Sequence, residues 1–333
     1  MALEVLDGGL LTTVQDLGRL GYERYGVPVA GAMDPFALQA ANALVGNPLS
    51  EAGLEITLLG PALRVTAPCL IAVTGAGLGL RLDGQPAPLW QALYVGPGSV
   101  VDFAGRVAGC HAYLAVAGGL EVAPVLGSRA TYPRGRLGGF EGRALRAGDR
   151  LPLRAAEAGR RGPAGRAVRA LDVPIYGDES EMRVVLGPQA DRFTAAGRET
   201  FLGSVYAVSP AADRMGYRLQ GPPIAHIGGA DVVSDGVPLG AVQVPGDGQP
   251  IVMMVDRQTT GGYAKIATVI AADIPLLAQC VPGASRVRFR SVTVQEAVSA
   301  LRAQAAQLAA LAGPRAYRLG DQSPADGEVA FDC

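Results

Sequence analysis

Lys265 is the only lysine among the 29 basic residues of this chain, and it follows a polar, glycine-bearing run at residues 256–264. A lysine ammonium is a compact charge that can lose its proton when desolvated, so arginine does not replace it in chemistry. Hydroxyls and glycine-freed backbone amides next to an ammonium could stabilise an oxyanion. A lysine that merely pairs with Asp256 or Asp273 is the alternative. The first interpretation makes Lys265 catalytic and gives it these neighbouring binding residues: Thr259, Thr260, Gly261, Gly262 and Tyr263.

Two more segments of the second half carry candidate groups. Residues 213–219 place one carboxylate beside two guanidinium groups, whose planar fork matches carboxylate or phosphate oxygens. Pairing within the segment would look the same in sequence. Residues 234–238 have the composition of a tight turn. Asp213 and Asp235 are the candidate proton acceptors, and the predicted substrate contacts of the first segment are Arg214, Tyr217 and Arg218.

A polar segment near the amino terminus combines hydroxyl, amide and carboxylate side chains, as the wall of a hydrogen-bonding pocket requires. On this interpretation Thr13, Gln15 and Asp16 contact substrate, and a turn network that supports the scaffold is the equal alternative. Asp34 is interpreted as the cap of a helix, because Pro35 follows it at the first helical position.

The composition argues against several classes of function. The formal net charge is −1 and no basic stripe is present, so nucleic acid is not expected as a partner. No apolar run has the length of a membrane span and no secretory leader is recognisable, which favours a cytoplasmic protein away from membranes. The four cysteines stand far apart and histidines number only two, so we expect no bound metal.

Short apolar runs separated by glycine and proline dominate the chain, which is typical of many short strands. The predicted fold class is therefore mainly β with a few short helices. One helix is expected between Asp34 and Gly46, and a second begins at the capping box Thr293–Glu296 and ends at Gly313.

The length of 333 residues favours two domains. A stretch rich in alanine and arginine, with little apolar side chain to bury, is interpreted as a linker. We predict an amino-terminal half at residues 1–154, a linker at 155–172, a carboxy-terminal half at 173–313 and a loose tail at 314–333. Two faint similarities, of residues 21–28 with 216–223 and of 83–86 with 235–238, indicate that the halves are related.

Seven segments together resemble the family known as the 5-oxoprolinase C subunit, KipA, or allophanate hydrolase subunit 2 and urea carboxylase carboxyltransferase domain. The resemblance runs from about Val5 to Phe289, although the family usually has proline where this chain has Ala264. The segments that carry it are residues 13–19, 31–34, 42–47, 127–131, 138–143, 213–219 and 258–266.

The resemblance implies two cyclophilin-like β-barrels and an enzyme that needs partners. Members of the family act with the A and B subunits of 5-oxoprolinase, of which B is KipI-like. Together they cleave 5-oxoproline to glutamate at the expense of ATP. The resemblance therefore implies ATP with Mg as cofactors, in a binding site shared with the partner subunits. Others transfer a carboxyl group from carboxybiotin to urea or a similar amide. Because Lys265 does not lie in a biotin-attachment motif, biotin would have to arrive on another polypeptide. A third, non-enzymatic possibility is a KipA-like antagonist of a KipI-like kinase inhibitor.

Overall fold

The computed structural model describes residues 1–156 and 164–312, and it confirms the mainly β fold class. Part of the predicted linker and all of the predicted tail at 314–333 lie outside the described residues. Within the described ranges, no helix has both the length and the apolar character needed to cross a membrane.

The first half of the chain consists of short strands and one long helix. Its helix α1 spans Pro35–Val45. Its strands are β1 Ala2–Asp7, β2 Leu11–Gln15, β3 Gly53–Thr57, β4 Ala62–Val65, β5 Cys69–Gly77, β6 Leu80–Leu82, β7 Gln85–Pro86, β8 Ala92–Val95, β9 Val100–Phe103, β10 Ala108–Val116 and β11 Arg150–Pro152.

Two sheets enclose the core of this half. One has the order β11-β1-β4-β9-β6-β7, and the other has the order β2-β3-β10-β5-β8. Side chains of a strand alternate between its two faces, and β5 shows this directly. Ile71 and Val73 join the core between the sheets, whereas Leu70 and Ala72 pack in the cluster that contains Leu44 of α1.

Helix α1 begins and ends at the residues predicted from sequence. The carboxylate of Asp34 accepts a hydrogen bond from the backbone N–H of Ala37 at 2.9 Å, and Pro35 occupies the first turn. Gly46 ends the helix with a left-handed φ of 81°, a conformation that costs glycine little.

The second half of the chain also consists of short strands, with three helices. Its strands are β12 Glu179–Leu186, β13 Val205–Val208, β14 Gly216–Gln220, β15 Asp231–Gly236, β16 Ala241–Gln243, β17 Ile251–Met253, β18 Thr260–Tyr263, β19 Lys265–Val269 and β20 Arg286–Ser291. Its helices are α2 Ala195–Gly203, α3 Ile274–Ala278 and α4 Val294–Ala312.

Seven of these strands close into a barrel in the order β12-β19-β16-β17-β14-β13-β20. Strands β12 and β20 close it as a parallel pair, and the other neighbours are antiparallel. Strands β15 and β18 form a separate two-stranded sheet. The second half is thus a closed barrel, whereas the strands of the first half form two sheets.

Each half lends a hydrophobic side chain to the core of the other. Met33, from the first half, belongs to the core cluster of the barrel. Leu308, on α4, packs with Phe36 and Trp90 of the first half. Helix α4 begins at the predicted capping box, in which the backbone N–H of Thr293 donates to Glu296 at 2.7 Å. Helix α4 then packs against α1, and this contact joins the two halves.

The end of the predicted linker lies against the first half. The backbone N–H of Ala92 donates to the carbonyl of Arg166 at 2.8 Å, and that of Val168 donates to the carbonyl of Trp90 at 2.9 Å. Residues 164–168 therefore extend the first half, and the boundaries proposed from composition remain predictions.

Candidate active-site groove

A groove with a volume of about 580 Å³ lies where the two halves meet. Arg134, from the first half, faces strands and loops of the barrel across it. Three of the predicted site residues line it: Asp213, Arg218 and Tyr263. The groove is polar, and its other charged or amide-bearing residues are Gln220, Gln243, Asp247, Gln249 and Gln258.

A smaller cavity of about 390 Å³ shares Gln258 with the groove. It also lies between the halves, because Glu23 and Val29 face Arg257 and the predicted site residue Thr259. Each cavity is thus lined by residues of both halves, and a ligand in either could contact both.

Lys265 is buried, with 3% of its side chain exposed. Its Nζ lies 3.2 Å from Oδ2 of Asp235, whose side chain is 61% exposed. Neither Asp256 nor Asp273 is its partner: Asp256 binds Arg214 and Asp273 binds Arg183. Lys265 is not among the residues that line the groove. Two of its neighbours are: Tyr263, which precedes it by two residues, and Gln243, its partner in the β16–β19 pairing.

The two candidate proton acceptors differ in their position relative to the groove, which Asp213 lines and Asp235 does not. The backbone N–H of Gly236, and then the Lys265 ammonium, lower the pKa of Asp235 from its usual value. A carboxylate with a lowered pKa is a poorer proton acceptor near neutral pH. Asp213 lies in the groove and accepts from the backbone N–H of Met215 at 2.8 Å and from Arg134 at 2.9 Å. Asp213 is therefore the better placed of the two.

The glycine-bearing run before Lys265 forms strand β18 and not a phosphate-binding loop. Gly261 pairs with Asp235, and Thr260 pairs with Gly236 of β15. Gly261 has a packing role, since a Cβ built there would lie 2.7 Å from Nε2 of Gln243. Gly262 is in the same strand, and the use of these amides for oxyanion stabilisation stays a prediction.

Two predicted substrate contacts of segment 213–219 are committed to the scaffold. Tyr217 is 1% exposed, and its hydroxyl donates to the carbonyl of Ala278 at 3.0 Å inside the barrel. Arg214 is also buried and holds the halves together: it pairs with Glu55 of the first half and, at 2.9 Å, with Asp256 of the second. Arg218, by contrast, is exposed and lines the groove.

The polar residues near the amino terminus are buried in the first half. Asp16 accepts from Ser128 at 2.7 Å and from the backbone N–H of Gly18 at 2.8 Å, so its carboxylate orders a turn. Gln15 donates to Thr13 and to the carbonyl of Thr131, each at 3.0 Å. None of Thr13, Gln15 and Asp16 is among the residues that line the groove.

Sequence reasoning missed the polar contacts between the halves. The side chain of Gln279 donates to Asp34 at 2.9 Å and to the carbonyl of His111 at 2.8 Å, and its oxygen accepts from the backbone N–H of Cys110. It also missed Arg134 and Gln243 in the groove. Arg134 lies between residues 127–131 and 138–143, two of the segments that carry the family resemblance, and this position is the one sequence signal that could have indicated it.

Comparisons with known proteins agree with this architecture. The model of the family described as carboxyltransferase domain, subdomain A and B, matches residues 25–291. The chain is similar to the 5-oxoprolinase C subunit of Escherichia coli, with 39% identity, 90% of this chain covered and 94% of that protein. It is likewise similar to the protein of that name from Haemophilus influenzae, with 36% identity, 89% of this chain covered and 93% of the relative.

A longer relative and a solved structure match through one part of their length. Urea amidolyase of Saccharomyces cerevisiae is 32% identical, with 97% of this chain covered and 18% of that protein. The crystal structure of Kluyveromyces lactis urea carboxylase superposes with a TM-score of 0.88 and 29% identity, over 96% of this chain and 30% of that one. This chain therefore spans less than a third of these two proteins.

Proposed function

We propose that this chain, which belongs to the family of the carboxyltransferase domain, subdomain A and B, is the C subunit of an ATP-dependent 5-oxoprolinase. The observation that carries the proposal is the similarity to two proteins named as the C subunit of 5-oxoprolinase, each covered over more than 90% of its length. The urea-processing relative is covered over only 18% of its length.

The groove supports a reaction on a small, polar amide. It presents the guanidinium of Arg218, the carboxylate of Asp213 and several side-chain amides that both donate and accept hydrogen bonds. In the proposal, these groups hold the 5-oxoproline ring, and Asp213 takes a proton from the water that attacks the activated lactam carbonyl. The C–N bond then breaks, and the proton passes to the departing nitrogen, which becomes the amine of glutamate. Lys265, on β19, binds Asp235 of the neighbouring β15–β18 sheet; its ammonium does not line the groove, and it acts on the developing oxyanion as a positive charge at a distance.

The described residues do not fit a complete nucleotide site. Gly261 and Gly262 lie in a paired strand, and the groove carries Asp213 and Asp247 as well as arginines, so no phosphate cradle is formed. We therefore place ATP and its Mg mainly on the A and B subunits. This chain contributes the surface that binds and polarises the lactam, and it works only in the complex.

Reconstitution tests the proposal. The chain is co-purified with its A and B partners, and 5-oxoproline-dependent ATP hydrolysis and glutamate release are measured. We expect both activities in the full complex and neither with the chain alone. A complex that assembles but gives no turnover would refute the proposal and favour the KipA-like regulatory role.

Carboxyl transfer is the second candidate, supported by the family description and by the TM-score of 0.88 to urea carboxylase. Biotin would come from another polypeptide, because Lys265, the only lysine, is buried in β19. Carboxylation of urea by this chain, when it is supplied with a separately carboxylated biotin carrier protein, would favour this candidate over lactam cleavage.

A further inference from the structure

Arg19 is a buried cation with unused hydrogen-bond donors. Arg19 is 1% exposed, and its Nε and Nη1 atoms have no hydrogen-bond partner among the described residues. Only Nη2 is bonded, to the carbonyl of Ala130. A buried charge without partners is costly, so buried guanidinium groups are normally paired. An arrangement that leaves two donors unused is explained by a ligand that binds them.

The nearby carboxylates are already committed elsewhere. Asp16 accepts from Ser128 and from the backbone N–H groups of Gly18 and Arg129. Asp256 is bound on both oxygens by Arg214, at 2.9 and 3.0 Å. Neither forms an ion pair with Arg19, although both are close enough to influence its charge. The free donors of Arg19 are therefore available to an anion other than these two carboxylates.

A hairpin at residues 132–142 approaches Arg19 through Gly138. Its two sides meet where Tyr132 and Leu137 exchange backbone hydrogen bonds of 2.8 and 3.2 Å. At its base, a Cβ built on Gly138 would lie only 2.6 Å from Nη2 of Arg19, so glycine permits this close approach. At its tip, Arg134 reaches across the groove to Asp213 through an exposed ion pair. Exposed pairs contribute little stability, so this contact can open at small cost.

A second unused group lies on the same stretch of chain. The Oε1 atom of Gln15 is buried and accepts no hydrogen bond from the described residues, while its Nε2 donates to the carbonyl of Thr131. Arg19 binds the carbonyl of the preceding residue, Ala130. Two free donors of a cation and one free amide acceptor thus flank residues 130–131. They complement a molecule that carries a carboxylate together with an N–H group.

We propose that Arg19 binds the carboxylate of the substrate, and that the ligand reaches it when the 132–142 hairpin lifts away and the Arg134–Asp213 ion pair opens. The inference rests on the proposed function for the identity of the ligand, a lactam carboxylate. Arg19 is then the residue that distinguishes a carboxylated lactam from a neutral one. Opening of the pair also frees Asp213 for its part in the groove.

Calorimetric titration of the whole chain, alone and in its complex, tests the inference with 5-oxoproline and with 2-pyrrolidinone, which lacks the carboxylate. We expect 5-oxoproline to bind at least tenfold more tightly. Arg19→Lys keeps the charge but loses the planar fork, and it should weaken 5-oxoproline binding at least tenfold. The matched control Arg169→Lys alters an exposed arginine and should leave the affinity unchanged.

Hydrogen–deuterium exchange gives an independent readout that does not depend on the folding of any variant. Saturation of the unaltered protein with 5-oxoproline should change the exchange of residues 132–142. Unchanged exchange there, equal affinity for the two lactams, or full affinity in a folded Arg19→Lys chain would each overturn the inference. If 5-oxoproline binding depends on Arg19 but the assembled complex shows no ATP-dependent turnover, the proposed function would be refuted and the inference about Arg19 would stand.

Discussion

Within segment 213–219, burial separates a side chain that faces the groove from one that supports the barrel. Strand β14 shows how this could have been read from sequence: side chains alternate between its faces, so Tyr217 and Leu219 share one face and Arg218 lies on the other. The structure places the first two in the barrel core and Arg218 at the groove. Lys265 was found by its rarity, but its burial and its pairing with Asp235 come from tertiary contacts that no local pattern contains.

Replacement of Lys265 tests its proposed role. Lys265→Met keeps a similar volume and strands no buried carboxylate, because Asp235 is largely exposed. We expect the fold to persist and the turnover of the complex to fall by about tenfold, because a charge that acts on the oxyanion at a distance contributes on the order of 1 kcal/mol. Lys265→Arg, which preserves the charge, is the matched variant. Ordinary activity in a folded Lys265→Met complex would remove Lys265 from the mechanism.

The opening of the Arg134–Asp213 pair can be tested at the tip of the hairpin. Asp213→Asn keeps the shape of the side chain but removes its charge and its basicity. If Asp213 is the proton acceptor, turnover should fall by about 10²-fold or more, while Arg134→Gln should retain most of the turnover. Steady-state assays of both variants decide the point. Equal losses would indicate that the ion pair itself, rather than the free carboxylate, is required.

Helices α1 and α4 were the best predicted elements because their starts are marked locally, whereas the short helices α2 and α3 were not predicted. Asp34 with Pro35 begins α1, Gly46 ends it, and Thr293 with Glu296 begins α4. The family and the mainly β class were also confirmed. Closure of the second half into a barrel depends on the pairing of β12 with β20, which lie about a hundred residues apart. Such non-local pairing leaves no periodic signal in sequence.

The cap of α1 should make stability depend on pH. Burial raises the pKa of Asp34 to about 6, although Gln279, Ala37 and Tyr176 donate hydrogen bonds to its carboxylate. A folded-state pKa above the unfolded value means that this residue stabilises the fold most below pH 4, and that the stabilisation is lost as pH rises through about 6.

Asp34→Asn removes that titration while keeping an oxygen for the cap. From pH 4 to pH 7, the stability of the unaltered chain should fall relative to the variant by at least about 1 kcal/mol, since one pKa unit corresponds to about 1.4 kcal/mol. Urea unfolding of both chains at several pH values measures the difference. A constant difference across this range would contradict the assignment.

At the scale of the whole molecule, the halves are joined by a buried ion network as well as by apolar packing. Arg214 binds Glu55 in the first half and Asp256 in the second, and Gln279 adds hydrogen bonds to Asp34 and His111. Pairing within segment 213–219, the alternative considered from sequence, was wrong: Asp213 pairs with Arg134, and Arg214 pairs with Glu55 and Asp256, so every ion-pair partner comes from a distant segment. The groove lies at this junction, so its shape depends on the network.

Loss of the central arginine should uncouple the halves. Arg214→Met leaves Glu55 and Asp256 buried without their cation, and such breaks cost about 3–5 kcal/mol. Urea unfolding should show this loss, and the groove residues should exchange hydrogen faster. The control Arg169→Met breaks an exposed pair and should cost less than about 1 kcal/mol. A loss as small as the control's would mean that packing alone holds the junction.

Helix α4 also has a consequence for biosynthesis. Its Leu308 covers Phe36 and Trp90, residues made hundreds of positions earlier. Ribosomes deliver the amino end first, so the nascent first half must wait with an uncovered apolar surface until α4 has been made. Chains that stop before α4 would expose this surface to chaperones and proteases, and premature termination products should therefore be cleared rather than accumulate.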